Sequence, residues 1–226
     1  MTFSNCDYEY IQRELYTYEN SYCPICEGLT NILSQRLDDN ESQFNVPPEM
    51  GYGSSKRVKL GNTIEMCFYD MQLLQDVQLS GKTQGDAYIL LFCMGENMMW
   101  RETISGQTME LEKSTGMLYH AGEINEAGIY ETNRHYQGLT LSFHPKRFSE
   151  YFAASTLKKQ LFTNRYTNYE YIDYMLTPEA NIIIAETLHC PYTGTTRTLY
   201  LEGKALELLA VCINAITQSD SEQNEP

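Results

Sequence analysis

The chain holds seven cysteines and four histidines, the residue types best suited to metal or redox work. Cys23 and Cys26 form a C-x-x-C in "CPIC". One such pair is half of a zinc site. A redox pair calls for a βαβ setting, which its neighbours do not offer. The first reading is structural thiols, then zinc completed in space by Cys6, Cys67 or a histidine, then redox. Cys67, Cys93 and Cys212 sit inside apolar runs, as buried reduced thiols do, and an odd count does not suit a disulfide framework. His120, His135, His144 and His189 include no H-x-H, the pattern that aims two imidazoles inward from one strand at an open metal. Neither G-x-x-x-x-G-K-[ST] nor G-x-S-x-G occurs. The expectation is no metal, no cofactor and no catalysis.

Binding is the remaining chemistry. Small-molecule pockets are apolar and aromatic, with a few polar groups. Phe92, Met94, Met98, Trp100, Arg101, Tyr119, His120, Tyr130 and His135 fall in strand-like runs and are the candidate lining. Trp100 and Arg101 are the most suggestive pair, a ring to stack on a planar ligand beside a cation to hold its anionic group. The plain alternative is that Trp100 fills the core and Arg101 faces water.

These residues must be positioned by the elements around them. Lys and Arg number 16 against 30 acids, a formal charge of −14, which disfavours direct contact with phosphate backbones or anionic membranes. No apolar run approaches a membrane span and the first residues resemble no signal peptide, so a cytoplasmic protein is expected. Residues 1–50 carry two helical patterns, Tyr8/Ile11/Leu15/Tyr18 and Leu29/Ile32/Leu33/Leu37, and read as a helical extension ending at "VPPEMGYGSS". Residues 51–144 are short apolar or alternating runs such as "TIEMCFYDMQL", "AYILLFCM" and "GLTLSFH". Gly61, Gly106, Gly116, Gly128 and Gly138 are among the glycines that punctuate them. That pattern predicts an antiparallel β-barrel or sandwich with a hairpin around "SGQ". Residues 145–218 turn helical: Pro145 and Pro178 open helices, and Thr177 is a cap. Residues 219–226 read as a disordered tail. The fold class is thus α+β, an antiparallel barrel followed by packed helices.

The last helix is the cleanest. Leu201, Ala205, Leu208, Leu209, Cys212, Ile213 and Ile216 make one apolar stripe. It packs on the chain's own barrel, or on a partner through Leu201, Leu208, Leu209, Cys212, Ile213 and Ile216, or on both. The segment "PYTGTTRTLYLEGKALELLAVCI", residues 191–213, resembles the end of the sensory domain of AraC/XylS-type transcriptional regulators, in the subgroup like the regulator of pyochelin uptake. Pro191, Tyr192, Gly194, Arg197, Leu199, Tyr200, Leu201, Glu202, Lys204, Glu207, Leu208 and Leu209 carry the match. "GLTLSFHPKRFSEYF", residues 138–152, is a weaker echo.

The resemblance implies a cupin-like sensory barrel that binds a small organic effector, possible chemistries including siderophore-like compounds. It also implies dimerising helices and DNA contact through a later pair of helix-turn-helix units. Those units need on the order of 100 residues and a basic face, and only "SDSEQNEP" follows Gln218. The expectation is the sensory and dimerisation part of a longer regulator, a homodimer that meets DNA only through a domain not in this chain. The alternative is a stand-alone, non-enzymatic protein that binds and modulates a partner.

Overall fold

The computed structural model describes residues 34–36, 40–46, 48, 50–74, 76–102, 106–152 and 171–223. In chain order these form β1 (Ser34–Arg36), β2 (Glu41–Asn45), β3 (Gly51–Leu60), β4 (Ile64–Leu73), β5 (Val77–Cys93), β6 (Met98–Glu102), β7 (Thr108–Leu111), β8 (Thr115–Tyr130) and β9 (His135–Phe143). Then come α1 (Pro145–Phe152), β10 (Tyr171–Met175), α2 (Pro178–Leu188) and α3 (Gly194–Gln223). "CPIC" and both helical patterns up to Leu33 lie outside the described residues.

All strands join one antiparallel sheet ordered β1-β2-β3-β4-β9-β5-β8-β6-β7, with β10 on β8. It is an open roll, a sandwich of the jelly-roll kind, and not the closed barrel that the spacing of the runs suggests. The reason lies in β5 and β8. They pair with each other over most of their length, but β9 accompanies β5 only along 88–93. Beyond that the long pair continues without β9; on the other edge β8 takes β10 at 115–119, opposite the stretch of β5 that β9 accompanies, and β6 at 126–129. The edges β1 and β7 are not paired to each other among the described residues. Side chains bring the margins together instead. Phe44 and Val46 meet Tyr130 and Tyr136, and Trp100, Met109 and Leu111 cover Ile89, Leu91 and Met117.

The sheet therefore has an outer face under the helices and an inner face inside the roll. Partners across an antiparallel ladder share a face. On the outer face, Val58, Met66, Leu141, Leu90 and Leu118 follow one another from β3 to β8. They join a core with Phe92, Phe143, Phe148, Phe152, Ile183 and Ile184. Fully burying each such side chain contributes roughly 1.5–3 kcal/mol.

Residues 34–36 and 41–45, read above as part of a helical extension, are strands paired to each other and to β3. The helical spacing of leucines ends near Leu37. After it, Phe44 and Val46 alternate with polar neighbours and are buried, a two-residue period that the earlier pattern masked. The glycines also divide. Gly61 and Gly106 turn the chain with φ of 64° and 73°. Gly116 and Gly138 lie inside strands, because the rings of Tyr174 and Tyr69 cross them where a Cβ would sit.

β6 and β7 pair as the arms of the expected hairpin, with Ser105 of "SGQ" outside the described residues, and Pro145 opens α1. Thr177 caps α2, its Oγ1 accepting from Ala180 N at 3.1 Å.

Candidate functional site

The inner face is where polar chemistry collects. Arg57, Cys67, Thr140, Leu91 and Met117 form one cross-strand row, and Glu65, Ser142, Ile89 and Tyr119 form the next. Ser55 and Tyr69 start a third. The β3, β4 and β9 half is polar and the β5 and β8 half is apolar. Arg57 and Glu65 are each only 5% exposed. They are diagonal neighbours, and Arg57 Nη2 donates to Glu65 Oε2 at 2.6 Å. Ser55, Thr140 and Ser142 are buried beside them, with Ser55 Oγ 3.5 Å from Cys67 Sγ.

The apolar half is floored by Ile89, Leu91, Cys93 and Met117 and roofed by Trp100, Met109 and Leu111, with Tyr119 and Tyr171 at its margin. Tyr69 closes it toward β6, its hydroxyl donating to Met98 Sδ at 2.8 Å. Burial pushes the Cys93 thiol up to about 11, which keeps it a packing group.

The expected lining divides between surfaces. Trp100, Tyr119 and Tyr130 belong to the inner face and its closed end. Phe92 and Met94 pack in the outer core under the helices. Arg101 is exposed, so it cannot share a ligand with buried Trp100. Consecutive strand residues point to opposite faces, which is why that pair separates. His135 is exposed and holds Asp70 Oδ1 at 2.7 Å, and half-buried His120 packs on Tyr88 with ring centroids 4.9 Å apart. Arg57, Glu65, Ser55, Thr140 and Ser142 escaped the sequence reading. Their signal was the alternation in "GLTLSFH" and "GSSKRVKL", which is indistinguishable from a strand with one wet face.

The closing helix follows the intramolecular reading of its stripe. Leu201, Leu208, Leu209, Cys212 and Ile216 are at most 5% exposed, within the outer core of the same chain, and Ile213 is half-buried against it. Those five buried residues are already occupied within the chain, while Ile213 keeps part of its surface at the edge of the stripe. Burial pushes the Cys212 thiol up to about 12.

The polar residues of the 191–209 segment tie α3 to its surroundings. Arg197 Nε donates to Glu41 Oε1 of β2 at 2.8 Å, and Lys56 Nζ of β3 meets the same carboxylate at 2.6 Å. Glu202 Oε1 accepts from Arg147 Nη1 of α1 at 2.8 Å. Lys204 Nζ donates to Glu186 of α2 at 2.5 Å and to Glu207 at 2.8 Å, and these two bonds raise its pKa. Tyr200 packs edge-on against Tyr192, with centroids 5.2 Å apart.

Residues 52–225 match the family described as "Regulatory protein PchR N-terminal domain". The chain belongs to this family. The resemblance carried by residues 191–213 is thereby borne out. Glu41 and the first two strands precede the matched residues.

Solved structures of similar shape include the AraC-like transcriptional activator CuxR, at 8% identity and TM-score 0.46, covering 78% of this chain and 61% of that one. An apo form of ToxT from Vibrio cholerae aligns at 10% identity and TM-score 0.45, covering 68% of this chain and 58% of that one. A cupin domain of an XRE-family transcriptional regulator from Enterobacter cloacae aligns at 11% identity and TM-score 0.32, covering 47% of this chain and 99% of that one. The chain thus spans about three fifths of the length of the two AraC-type regulators. No curated protein matches. Among the described residues no helix is long and apolar enough to cross a membrane, and no group of three or more His, Cys, Asp or Glu side chains could hold a metal.

Proposed function

We propose that the chain is the effector-sensing and dimerisation part of an AraC-like transcriptional regulator, without catalytic activity. It binds a small organic molecule within the roll, against Trp100, Tyr119 and the polar half of the inner face. The observation that carries this is the set of joints on α3. One helix is bonded to β2, α1 and α2 through Arg197, Glu202 and Lys204, so a movement of the sheet has a direct route to the last helix. An effector shifts that equilibrium only through different affinities for two arrangements. In a longer regulator, α3 carries the change toward a DNA-binding domain.

The homodimer belongs to this reading, through the flank of α3 that borders its buried stripe. Leu199, Leu206 and Ile213 recur every seven residues with exposed Ala210 beside them; Leu199 is 73% exposed, and Leu206 and Ile213 are half-buried at the edge of the outer core. A thermal-shift screen against siderophores, bile acids, fatty acids and sugars tests the sensor. One class should raise the melting temperature, and hydrogen exchange should change at the start of α3. The Arg197→Ala variant should still bind while losing that change. If nothing in the screen stabilises the chain and a protein co-purifies instead, it is a stand-alone interaction module.

A further inference from the structure

We infer that the effector is an amphipathic organic anion whose charged head takes Arg57 from Glu65, while its apolar body lies against Ile89, Leu91, Met117 and Trp100. This rests on the sensor reading above.

The two faces of the same five strands supply the argument. On the outer face the positions from β3 to β8 are filled by aliphatic and aromatic side chains. On the inner face, Ser55, Arg57, Glu65, Thr140 and Ser142 are as deeply buried as that core, each at 5% exposure or less. A buried ion pair is a poor way to stabilise a sheet. Desolvating both charges offsets much of their attraction, and apolar residues of similar volume serve as well or better. Stability alone would not select this half. Recognition does, because a buried guanidinium with hydroxyls beside it favours a carboxylate-like group over a neutral one.

Glu65 then has a role in the unliganded domain. It occupies Arg57 at 2.6 Å and keeps that charge compensated until a ligand arrives. The polar half passes along the ladder rows directly into the apolar half, Thr140 beside Leu91 and Ser142 beside Ile89. A ligand seated on the face therefore needs a charged end and an apolar end. The exchange also sits close to the helix. Arg57 follows Lys56, which shares Glu41 with Arg197 of α3. A ligand that releases Glu65 from Arg57 acts on the strand next to that joint.

The test uses matched probes, 2-naphthoate and decanoate against 2-naphthamide and decanamide, measured by calorimetry and thermal shift on the whole chain. The wild type should prefer each acid to its amide. Glu65→Gln removes the competing carboxylate and should tighten acid binding roughly tenfold while leaving the amides unchanged. The double variant Arg57→Met/Glu65→Gln removes both charges, keeps the volume and should lose the preference. Circular dichroism confirms that each variant is folded. Equal binding of acids and amides by the wild type overturns the inference, as does no gain in Glu65→Gln or a preference that survives in the double variant. Should acids fail in all three proteins while an amide or a sugar from the wider screen binds, the anion is wrong and the sensor stands. Should nothing bind, both readings fall.

Discussion

The outer and inner faces of the roll come from the same strands and are buried to the same degree, yet they are composed differently. The outer face is an apolar surface matched to α1, α2 and α3. The inner face is divided between an ion pair with hydroxyls and an aromatic-capped apolar patch. Burial alone therefore does not separate core from site in this fold. Composition at equal burial does. Burying polar groups is costly unless they are paired, so the Arg57–Glu65 pair on the inner face calls for a role that the apolar outer face does not have.

Substitutions on the two faces should break this comparison if it is wrong. Phe92→Ala, on the outer face, should cost about 3–5 kcal/mol in urea denaturation, because it leaves a cavity among side chains that cannot all collapse. Arg57→Met strands the Glu65 charge and should cost about 3 kcal/mol, while the Arg57→Met/Glu65→Gln double variant should recover most of that loss. If the double variant is no better than the single one, the pair is a structural element and the faces do not differ in kind.

The helix joints come next in size. Arg197→Ala should cost about 1 kcal/mol, since the bond to Glu41 is charge-assisted and mostly shielded, and Thr177→Ala a similar amount for its cap. On α3, Leu209→Asp should unfold the chain. Leu199→Asp with Ala210→Asp, both at exposed positions, should leave it folded and monomeric by sedimentation. A folded Leu209→Asp monomer would return the dimer to the buried stripe.

The smallest expected effect concerns Asp173, on β10 in register with Met117 of the inner row. Desolvation, and then the charge of Glu112, raise its carboxyl from 3.8 to about 6 even though part of it meets water. The folded state holds this proton more tightly than the unfolded chain does. Its contribution to stability is complete below the ordinary value and is lost as pH rises through about 6. Asp173→Asn should flatten the stability–pH curve in that window, with melting temperatures at successive pH values as the readout.

Much of the layout was legible in advance. The helical stripe of α3, the cap at Thr177, the proline starts and the "SGQ" hairpin are local signals, and each appears in the structure. The candidate lining was less so. Trp100, Tyr119 and Tyr130 were visible as aromatic residues in strand-like runs, but so were Phe92 and Met94, which belong to the opposite face. Arg57 and Glu65 look like ordinary solvent-facing positions in the sequence, because a period of two marks that a strand has two faces and not which one meets water.

The sequence by itself determined the central run of strands with helices after it, the family to which the chain belongs and the apolar side of its last helix, but neither β1 and β2 in the first 50 residues nor β10 among the helices. These depend on spacing along the chain and on residues adjacent in it. Only the tertiary structure decided that the sheet is an open roll, that Arg57, Glu65, Thr140 and Ser142 are as buried as the apolar residues on its other face, and that this polar half points inward. Those outcomes depend on where β9 stops along β5 and on which distant side chains cover each face. Neither is a property of any one segment.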